Sequence, residues 1–104
     1  MEVISTEQLK EIIDSRNGKY MIVDVREPSE IEDYGAIPNA INIPYNDIPK
    51  NISKFKGKKV IFYCRSGGRS GRITEYALSQ GIDAINYKGS VLEWSKIDSK
   101  VKAY

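Results

Sequence analysis

Short apolar segments rich in β-forming residues alternate with segments of helical periodicity, and this alternation restricts the fold more than any other feature of the chain. The segments typical of buried strands are residues 20–25, 40–43, 59–63 and 84–87. Helical segments separate them, which allows successive strands to pair in the same direction. We therefore predict an α/β fold of three layers, in which a mostly parallel central sheet is flanked by helices on both faces.

Local signals predict where several helical segments begin and end. Ser5 and Gln8 have the spacing of a capping box, so the first helix should begin here and end at Asn17-Gly18. Residues 28–34 should form a helical turn, because proline opens the segment and glycine follows it. The tail, residues 98–104, is mostly polar, and we expect it to be loosely held.

The composition of the chain excludes several classes of function. The 104 residues carry a net charge of +2, well short of the charge typical of nucleic-acid binding, and no apolar run could span a membrane. Histidine is absent and cysteine occurs once, which rules out a Cys/His metal site, an intrachain disulfide and a catalytic Cys–His pair. We expect one domain over residues 1–104, with no metal or cofactor. A free thiol without a signal-peptide pattern favours the cytoplasm.

Cys64 is the candidate nucleophile. It follows the strand at residues 59–63 and precedes Gly67-Gly68 and a helical segment, and ligands of parallel sheets bind beyond the carboxyl ends of strands. Both glycines can adopt left-handed backbone angles, which would turn successive N–H groups toward one anion. Together with the helix N-terminus, these groups should lower the pKa of Cys64 and produce a reactive thiolate. A lone cysteine is more often an inert core residue, but this position favours chemistry.

The residues that follow Cys64 are the candidate anion ligands. Two arginines bracket the loop, and their charges would attract a sulfur or phosphorus oxyanion, although single arginines are usually solvated surface residues. Serine hydroxyls in the loop would add hydrogen bonds. The candidate substrate-binding residues are Arg65, Ser66, Gly67, Gly68, Arg69 and Ser70.

Four motifs, in order along the chain, resemble those of single-domain rhodanese-like sulfurtransferases. They are Asp24-Val25-Arg26-Glu27, the segment 35–44 (GAIPNAINIP), the loop 64–70 (CRSGGRS) and the segment 89–94 (GSVLEW). The chain departs from the family pattern at Ala36, where histidine is common, and at Asn39 and Ser90, where glycine is common. None of these departures affects the nucleophile. The four motifs extend the resemblance over nearly the whole chain.

The resemblance implies a rhodanese-like fold and an enzyme of the thiosulfate sulfurtransferase type. Cys64 would take a sulfane sulfur from thiosulfate or a related donor, become a persulfide, and pass the sulfur to a thiol or to cyanide. The loop amides would cradle the persulfide, while Arg65 and Arg69 assist the donor oxyanion. Asp24 and Arg26 would support the pocket or form a structural ion pair. The implied partners are these small molecules and a sulfur-relay protein, with no nucleic acid and no membrane.

Two rival functions stay open at the level of the sequence. One is a phosphatase or arsenate reductase on the same fold. Tyrosine-type phosphatases place one more residue between cysteine and arginine than the four between Cys64 and Arg69, and they need a general acid, for which Asp24 or Asp33 would be the candidate. The other rival is a non-catalytic, partner-binding rhodanese-like module. The short loop and the intact cysteine favour sulfur transfer over both.

Overall fold

Strands and helices alternate throughout the computed structural model, which describes all 104 residues. The strands are β1 (Glu2–Val3), β2 (Tyr20–Asp24), β3 (Ile41–Asn42), β4 (Lys59–Tyr63) and β5 (Asp83–Asn86), and the α-helices are α1 (Thr6–Asp14), α2 (Pro28–Tyr34), α3 (Gly68–Ser79) and α4 (Ser90–Trp94). Two 3-10 helices, Tyr45–Asp47 and Pro49–Phe55, connect β3 to β4. None of the helices is long and apolar enough to cross a membrane.

The five strands form one parallel sheet in the order β1-β5-β4-β2-β3. At its centre β2 pairs with β4, with Tyr20 opposite Lys59 and Asp24 opposite Tyr63. The carboxyl ends of these two strands therefore lie side by side. The strand β1 was not predicted, because its two residues are exposed and too few to show a periodicity.

Apolar layers cover both faces of the sheet, which confirms the predicted three-layer α/β fold. On one face the sheet packs against α3 and the 3-10 segments. The buried side chains there include Val23, Phe62, Ile48, Phe55, Ile73 and Ala77. On the other face it packs against α1, α4 and the tail. The buried side chains there include Ile22, Ile61, Ile85, Leu9, Val91, Trp94 and Val101.

The first helix has the predicted beginning but not the predicted end. The Ser5 hydroxyl accepts the Gln8 N–H at 3.1 Å, and the Gln8 side chain accepts the Ser5 N–H at 2.8 Å, so the capping box is confirmed. The helix stops at Asp14 rather than at Asn17-Gly18. Arg16 adopts the left-handed conformation, with φ of 54°, and this reverses the chain before the glycine is reached.

The helix α2 follows β2 as predicted and ends at Gly35, whose φ is 84°. A Cβ atom at this position would overlap the carbonyl oxygen of Lys100. The glycine therefore serves two purposes, since it ends the helix and lets the C-terminal tail pack against that end. The predicted strand at residues 40–43 is shorter in the structure, where only Ile41–Asn42 pair with β2.

The prediction that residues 98–104 are loosely held is wrong. Val101 is 2% exposed and belongs to the core, and the Lys102 N–H donates to the Tyr34 carbonyl at 2.8 Å. The ring of Tyr104 stacks on that of Tyr34, with centroids 3.8 Å apart. The polar composition of the tail hides two apolar anchors, Val101 and Tyr104, which hold it against α2.

We predict that Tyr104→Ala lowers the free energy of unfolding by about 1–3 kcal/mol, because it removes an aromatic stack and the hydrogen bonds of the hydroxyl. Lys102→Ala is the matched control, since Lys102 is exposed in the same tail. Urea unfolding of both variants measures the difference. Equal stabilities would mean that the packing of Tyr104 contributes nothing.

Candidate active site

Cys64 lies at the carboxyl end of β4, in the short connection to α3. The packing of neighbouring elements buries it, leaving the residue 1% exposed. The Cys64 N–H donates to the Ser90 hydroxyl at 3.1 Å, and the Cys64 carbonyl accepts the N–H of Val91 at 3.1 Å. The start of α4 thus fixes the backbone on which the sulfur is carried.

Hydrogen-bond donors from the loop and from α3 surround the sulfur of Cys64. The Gly67 N–H donates to Sγ at 3.1 Å and the Ser70 N–H at 3.4 Å. The thiol in turn lies 3.5 Å from the Ser70 hydroxyl oxygen. Because Ser70 is in the first turn of α3, its N–H belongs to the unpaired amides at the helix N-terminus, where a negative charge is favoured.

The balance of burial and hydrogen bonding favours the ionised form of this thiol. Burial raises the pKa of Cys64, but the hydrogen bonds from the Ser70 hydroxyl and from the backbone N–H groups of Ser70 and Gly67 outweigh it and hold the pKa below its usual value. The thiolate of Cys64 is therefore more populated than that of a free cysteine at the same pH, without a neighbouring base, and the chain contains no histidine.

The two glycines of the loop adopt different conformations, contrary to the expectation that both are left-handed. Gly67 has φ of 100° and caps α3, and a Cβ atom there would lie 2.6 Å from the Lys88 carbonyl oxygen. Gly68 is already the first residue of α3, with open space where its Cβ atom would be. The turn of the N–H groups toward Sγ therefore depends on Gly67, and Gly68 follows ordinary helical geometry.

Arg69, a candidate anion ligand, forms an ion pair with a carboxylate in this structure. Its two terminal nitrogens donate to the two oxygens of Glu30 at 2.8 and 2.9 Å, a bidentate ion pair. The Arg69 guanidinium holds the pKa of Glu30 at about 2, and Glu30 in turn raises the pKa of Arg69. Glu30, on α2, was not singled out in the sequence, because no local pattern links it to the loop.

Arg65 is the loop cation without an ionic partner. Its guanidinium lies over the ring of Tyr104, 5.0 Å from the centroid, and its buried Nε atom has no hydrogen-bond partner. Ser66 is exposed beside it. Of the two arginines, Arg65 is therefore the one whose charge is not neutralised by a carboxylate and whose Nε is free to bind an anion.

Asp24 and Arg26 form a buried ion pair at the end of β2, next to the end of β4. The shortest contact joins Arg26 Nη2 to Asp24 Oδ2 at 2.6 Å, and neither side chain is more than 1% exposed. Burial alone would lower the pKa of Arg26, but the Asp24 carboxylate and Tyr104 hydroxyl raise it. Arg26 also donates to the Gly35 carbonyl at 2.7 Å and to the Tyr104 hydroxyl at 3.2 Å. This pair supports the wall of the site and makes no hydrogen bond to Cys64.

Two further residues of the site were missed by sequence reasoning about function. Ser90, noted only as a departure from glycine, adopts φ of 53° and uses its hydroxyl to join the Cys64 N–H to the Tyr87 carbonyl. Asn86, at the end of β5, accepts the Ser70 hydroxyl hydrogen at 2.7 Å. The Ser70 hydroxyl can donate to the thiolate only when its single hydrogen points to Sγ rather than to Asn86. Both residues therefore orient the groups that surround the sulfur.

No group of three or more cysteine, aspartate or glutamate side chains converges in a way that could hold a metal ion. Two carboxylates beside the loop are paired with arginines, Asp24 with Arg26 and Glu30 with Arg69. The chemistry available at this site is therefore that of a thiolate among backbone amides, with arginines beside it.

Comparisons with known proteins agree with this geometry. The Rhodanese-like domain family matches residues 5–97. The chain is 40% identical over 92 residues to YtwF of Bacillus subtilis (strain 168), covering 88% of this chain and 87% of that protein. It is 33% identical over 108 residues to the mitochondrial thiosulfate sulfurtransferase RDL2 of Saccharomyces cerevisiae, covering 89% of this chain and 72% of that protein. The crystal structure of a rhodanese-like domain protein from Staphylococcus aureus is similar with a TM-score of 0.84 at 34% identity, over 100% of this chain and 99% of that one. The chain belongs to the rhodanese-like domain family.

We predict that Cys64 is alkylated by iodoacetamide with a pH midpoint below that of a free thiol, about 8.5. Ser70→Ala should raise the midpoint, since it removes one hydrogen bond to the thiolate and leaves the N–H in place. Ser66→Ala serves as the control, because the Ser66 hydroxyl makes no hydrogen bond to Sγ. A midpoint at the free-thiol value in the unmodified protein would show that the loop does not stabilise the anion.

The difference between the two glycines predicts opposite results for one substitution. Gly67→Ala should destabilise the fold by at least about 1–2 kcal/mol and impair Cys64 reactivity, because alanine disfavours the left-handed conformation. Gly68→Ala should leave stability unchanged or raise it by up to about 1 kcal/mol, as expected at an open helical position. Thermal unfolding and alkylation rates of the two variants provide the measurement. Equal damage at both positions would contradict the assignment of the turn to Gly67.

Proposed function

We propose that this protein is a sulfurtransferase that moves a sulfane sulfur from thiosulfate or a related donor to a thiophilic acceptor through a persulfide on Cys64. The observation that carries the proposal is the position of Cys64 Sγ, which receives N–H groups from Gly67 and Ser70 at the start of α3. Membership of the rhodanese-like domain family supports it, as does the activity for which the yeast relative RDL2 is named.

In the first step the Cys64 thiolate attacks the outer sulfur of thiosulfate. A new S–S bond forms on Cys64 while the S–S bond of thiosulfate breaks, and its electron pair leaves with sulfite. The thiolate and thiosulfate thus become a persulfide anion and a sulfite dianion, so that charge and atoms balance. The backbone N–H groups and the α3 N-terminus would stabilise the anionic persulfide as they stabilise the thiolate.

In the second step a thiophilic acceptor attacks the outer sulfur of the persulfide. The S–S bond breaks, its electron pair returns to Cys64 as thiolate, and the acceptor leaves with the sulfur. Cyanide gives thiocyanate and a thiolate gives a new persulfide, so neither step needs an external oxidant or reductant. Because Cys64 holds the sulfur covalently between two successive displacements, the mechanism is covalent catalysis.

Arg65 is the residue we assign to the oxyanion of the donor. Its buried, unpartnered Nε makes a hydrogen bond available to a sulfonate oxygen, whereas both terminal nitrogens of Arg69 are engaged by Glu30. Cys64 itself is 1% exposed, so loop side chains must move aside before a donor reaches Sγ. That closure would also shield the persulfide from water between the two steps.

For the alternative functions, a phosphatase or an arsenate reductase, the site lacks a general acid. Cleavage of a phosphate ester needs a general acid beside the leaving group. Asp24 is fully engaged by Arg26 beneath the site, and Asp33 is exposed on α2 without a contact to the loop. The short loop between Cys64 and Arg69 also leaves less room for a tetrahedral phosphate. Sulfur transfer needs no such acid, because sulfite leaves as an anion.

The same chemistry indicates the compartment and the acceptors that we propose for the protein. A reducing compartment such as the cytoplasm would keep the lone thiol available and supply thiol acceptors. Those acceptors would be small thiols or the cysteine of a sulfur-relay protein, since the chemistry of the second step is the same for both. Nothing in the proposed reaction calls for a nucleic acid or a membrane.

The test is made on one preparation of purified protein. Incubation with thiosulfate should add the mass of one sulfur atom, and later addition of cyanide should remove it and yield thiocyanate. Cys64→Ser should abolish both results, because a serine hydroxyl is not ionised at neutral pH and holds no sulfane sulfur. The same preparation should not hydrolyse an aryl phosphate.

Two outcomes would overturn the proposal. Cys64-dependent hydrolysis of the aryl phosphate without thiocyanate formation would favour the phosphatase. A folded protein that gains no mass with thiosulfate or with any other sulfane donor would favour the non-catalytic, partner-binding module.

A further inference from the structure

The two arginines of the Cys64 loop differ in whether their charge is already neutralised. Arg69 forms the bidentate pair with Glu30, and its side chain is 33% exposed. Arg65 has no ion pair and lies over the ring of Tyr104. The loop has two cations in its sequence, but the folded site presents only one of them uncompensated.

Glu30 is held in place from several sides. Besides Arg69, it accepts the Tyr104 hydroxyl at 2.7 Å and the Glu27 N–H at 2.9 Å. Arg69 lowers the pKa of Glu30 to about 2, so the carboxylate is charged at every pH at which Cys64 is a thiolate. The neutralisation of Arg69 is thus a permanent property of the fold.

We propose that Glu30 is a specificity-determining positioning residue, which holds Arg69 in an ion pair and cancels its charge, so that the preference of the site for dianionic over monoanionic donors is smaller than an unpaired Arg69 would give. The inference rests on the proposed sulfur transfer. Glu30 lies on α2, outside the loop, and yet helps to set which donors the loop accepts.

The effect should scale with the charge of the reagent. Arg69 directly precedes Ser70, whose N–H donates to Cys64 Sγ at 3.4 Å, so an anion attacked by Cys64 also lies within the field of the Arg69–Glu30 pair. Without the Glu30 charge, Arg69 would attract each reagent in proportion to its charge. Coulomb's law at an effective dielectric constant between that of protein and water gives about a fivefold gain for a monoanion and, with twice the charge, about a 25-fold gain for a dianion.

The first measurement does not depend on sulfur transfer. Iodoacetate and iodoacetamide alkylate the same sulfur through the same opening of the loop, but only iodoacetate is charged, so the ratio of their rate constants reports the field at Sγ. Glu30→Gln should raise that ratio about fivefold. Glu32→Gln removes the same charge from an exposed position on the same helix and should leave the ratio unchanged. Glu30→Asp keeps the charge and should stay near the unmodified protein.

A double-mutant cycle distinguishes neutralisation of Arg69 by Glu30 from direct contact between Arg69 and the anion. Arg69→Gln leaves the Glu30 carboxylate unpaired and should lower the ratio below that of the unmodified protein. The double variant Glu30→Gln, Arg69→Gln removes both charges and should return the ratio close to the starting value. If Arg69 instead contacted the anion itself, the double variant would stay well below the unmodified protein, because that contact would be lost whether or not Glu30 is charged, and the proposal would be wrong. If Glu30→Gln does not fold, a comparison of Arg69→Gln with Glu32→Gln still tests whether an unpaired Glu30 lowers the iodoacetate-to-iodoacetamide ratio.

The second measurement uses sulfur donors of different charge. Thiosulfate is a dianion and benzenethiosulfonate a monoanion, and both give the same Cys64 persulfide. In Glu30→Gln the KM for thiosulfate should fall by a larger factor than the KM for benzenethiosulfonate. Equal factors, or equal effects in Glu32→Gln, would overturn the role of Glu30. Failure of the unmodified protein to transfer sulfur from either donor would instead overturn the proposed function, while the alkylation ratio would still report on Glu30.

Discussion

The in-register parallel pairing of β2 with β4 is the constraint on which the site depends. It places Asp24 opposite Tyr63, the residue before Cys64, so the segments that follow the two strands leave the sheet at the same edge. One segment becomes α2 and carries Glu30, and the other becomes the Cys64 loop and carries Arg69. A shift of the register by one residue would separate these partners and exchange the faces of every side chain in the strand.

Buried charge then fixes the geometry behind the loop. An ion pair as deeply buried as that of Asp24 and Arg26 contributes little net stability, since desolvation offsets much of the attraction. What it supplies is direction, because the remaining donors of Arg26 reach the Gly35 carbonyl and the Tyr104 hydroxyl. The tail, α2 and the end of β2 are thereby held together around Glu30.

Much of the fold and the core of the site could be predicted because their signals are local. The alternation of apolar and helical segments indicates the layers, and the apolar strand before Cys64 with glycines after it indicates where the sulfur lies. The glycine pair itself does not reveal that only Gly67 is left-handed, because that depends on where α3 begins. The Lys88 carbonyl packed against Gly67 is likewise a tertiary contact.

The parts that could not be predicted join residues far apart in the chain. Glu30 and Arg69 are 39 positions apart, and Tyr104 is 74 positions from Glu30. Each is an ordinary polar residue in its own neighbourhood, so only the folded sheet shows that they meet. The tail illustrates the same limit, since its polar composition suggested mobility while two of its side chains were anchored.

The depth of Cys64 also decides how the protein behaves among its own copies. A disulfide between two chains requires the sulfurs to come within about 2.05 Å and the Cβ atoms within about 4.5 Å. A residue that is 1% exposed and enclosed by α3 and α4 cannot bring its Cβ atom that close to an equally enclosed partner. In this conformation the lone cysteine is therefore protected by shape from covalent dimerisation, even where oxidants are present.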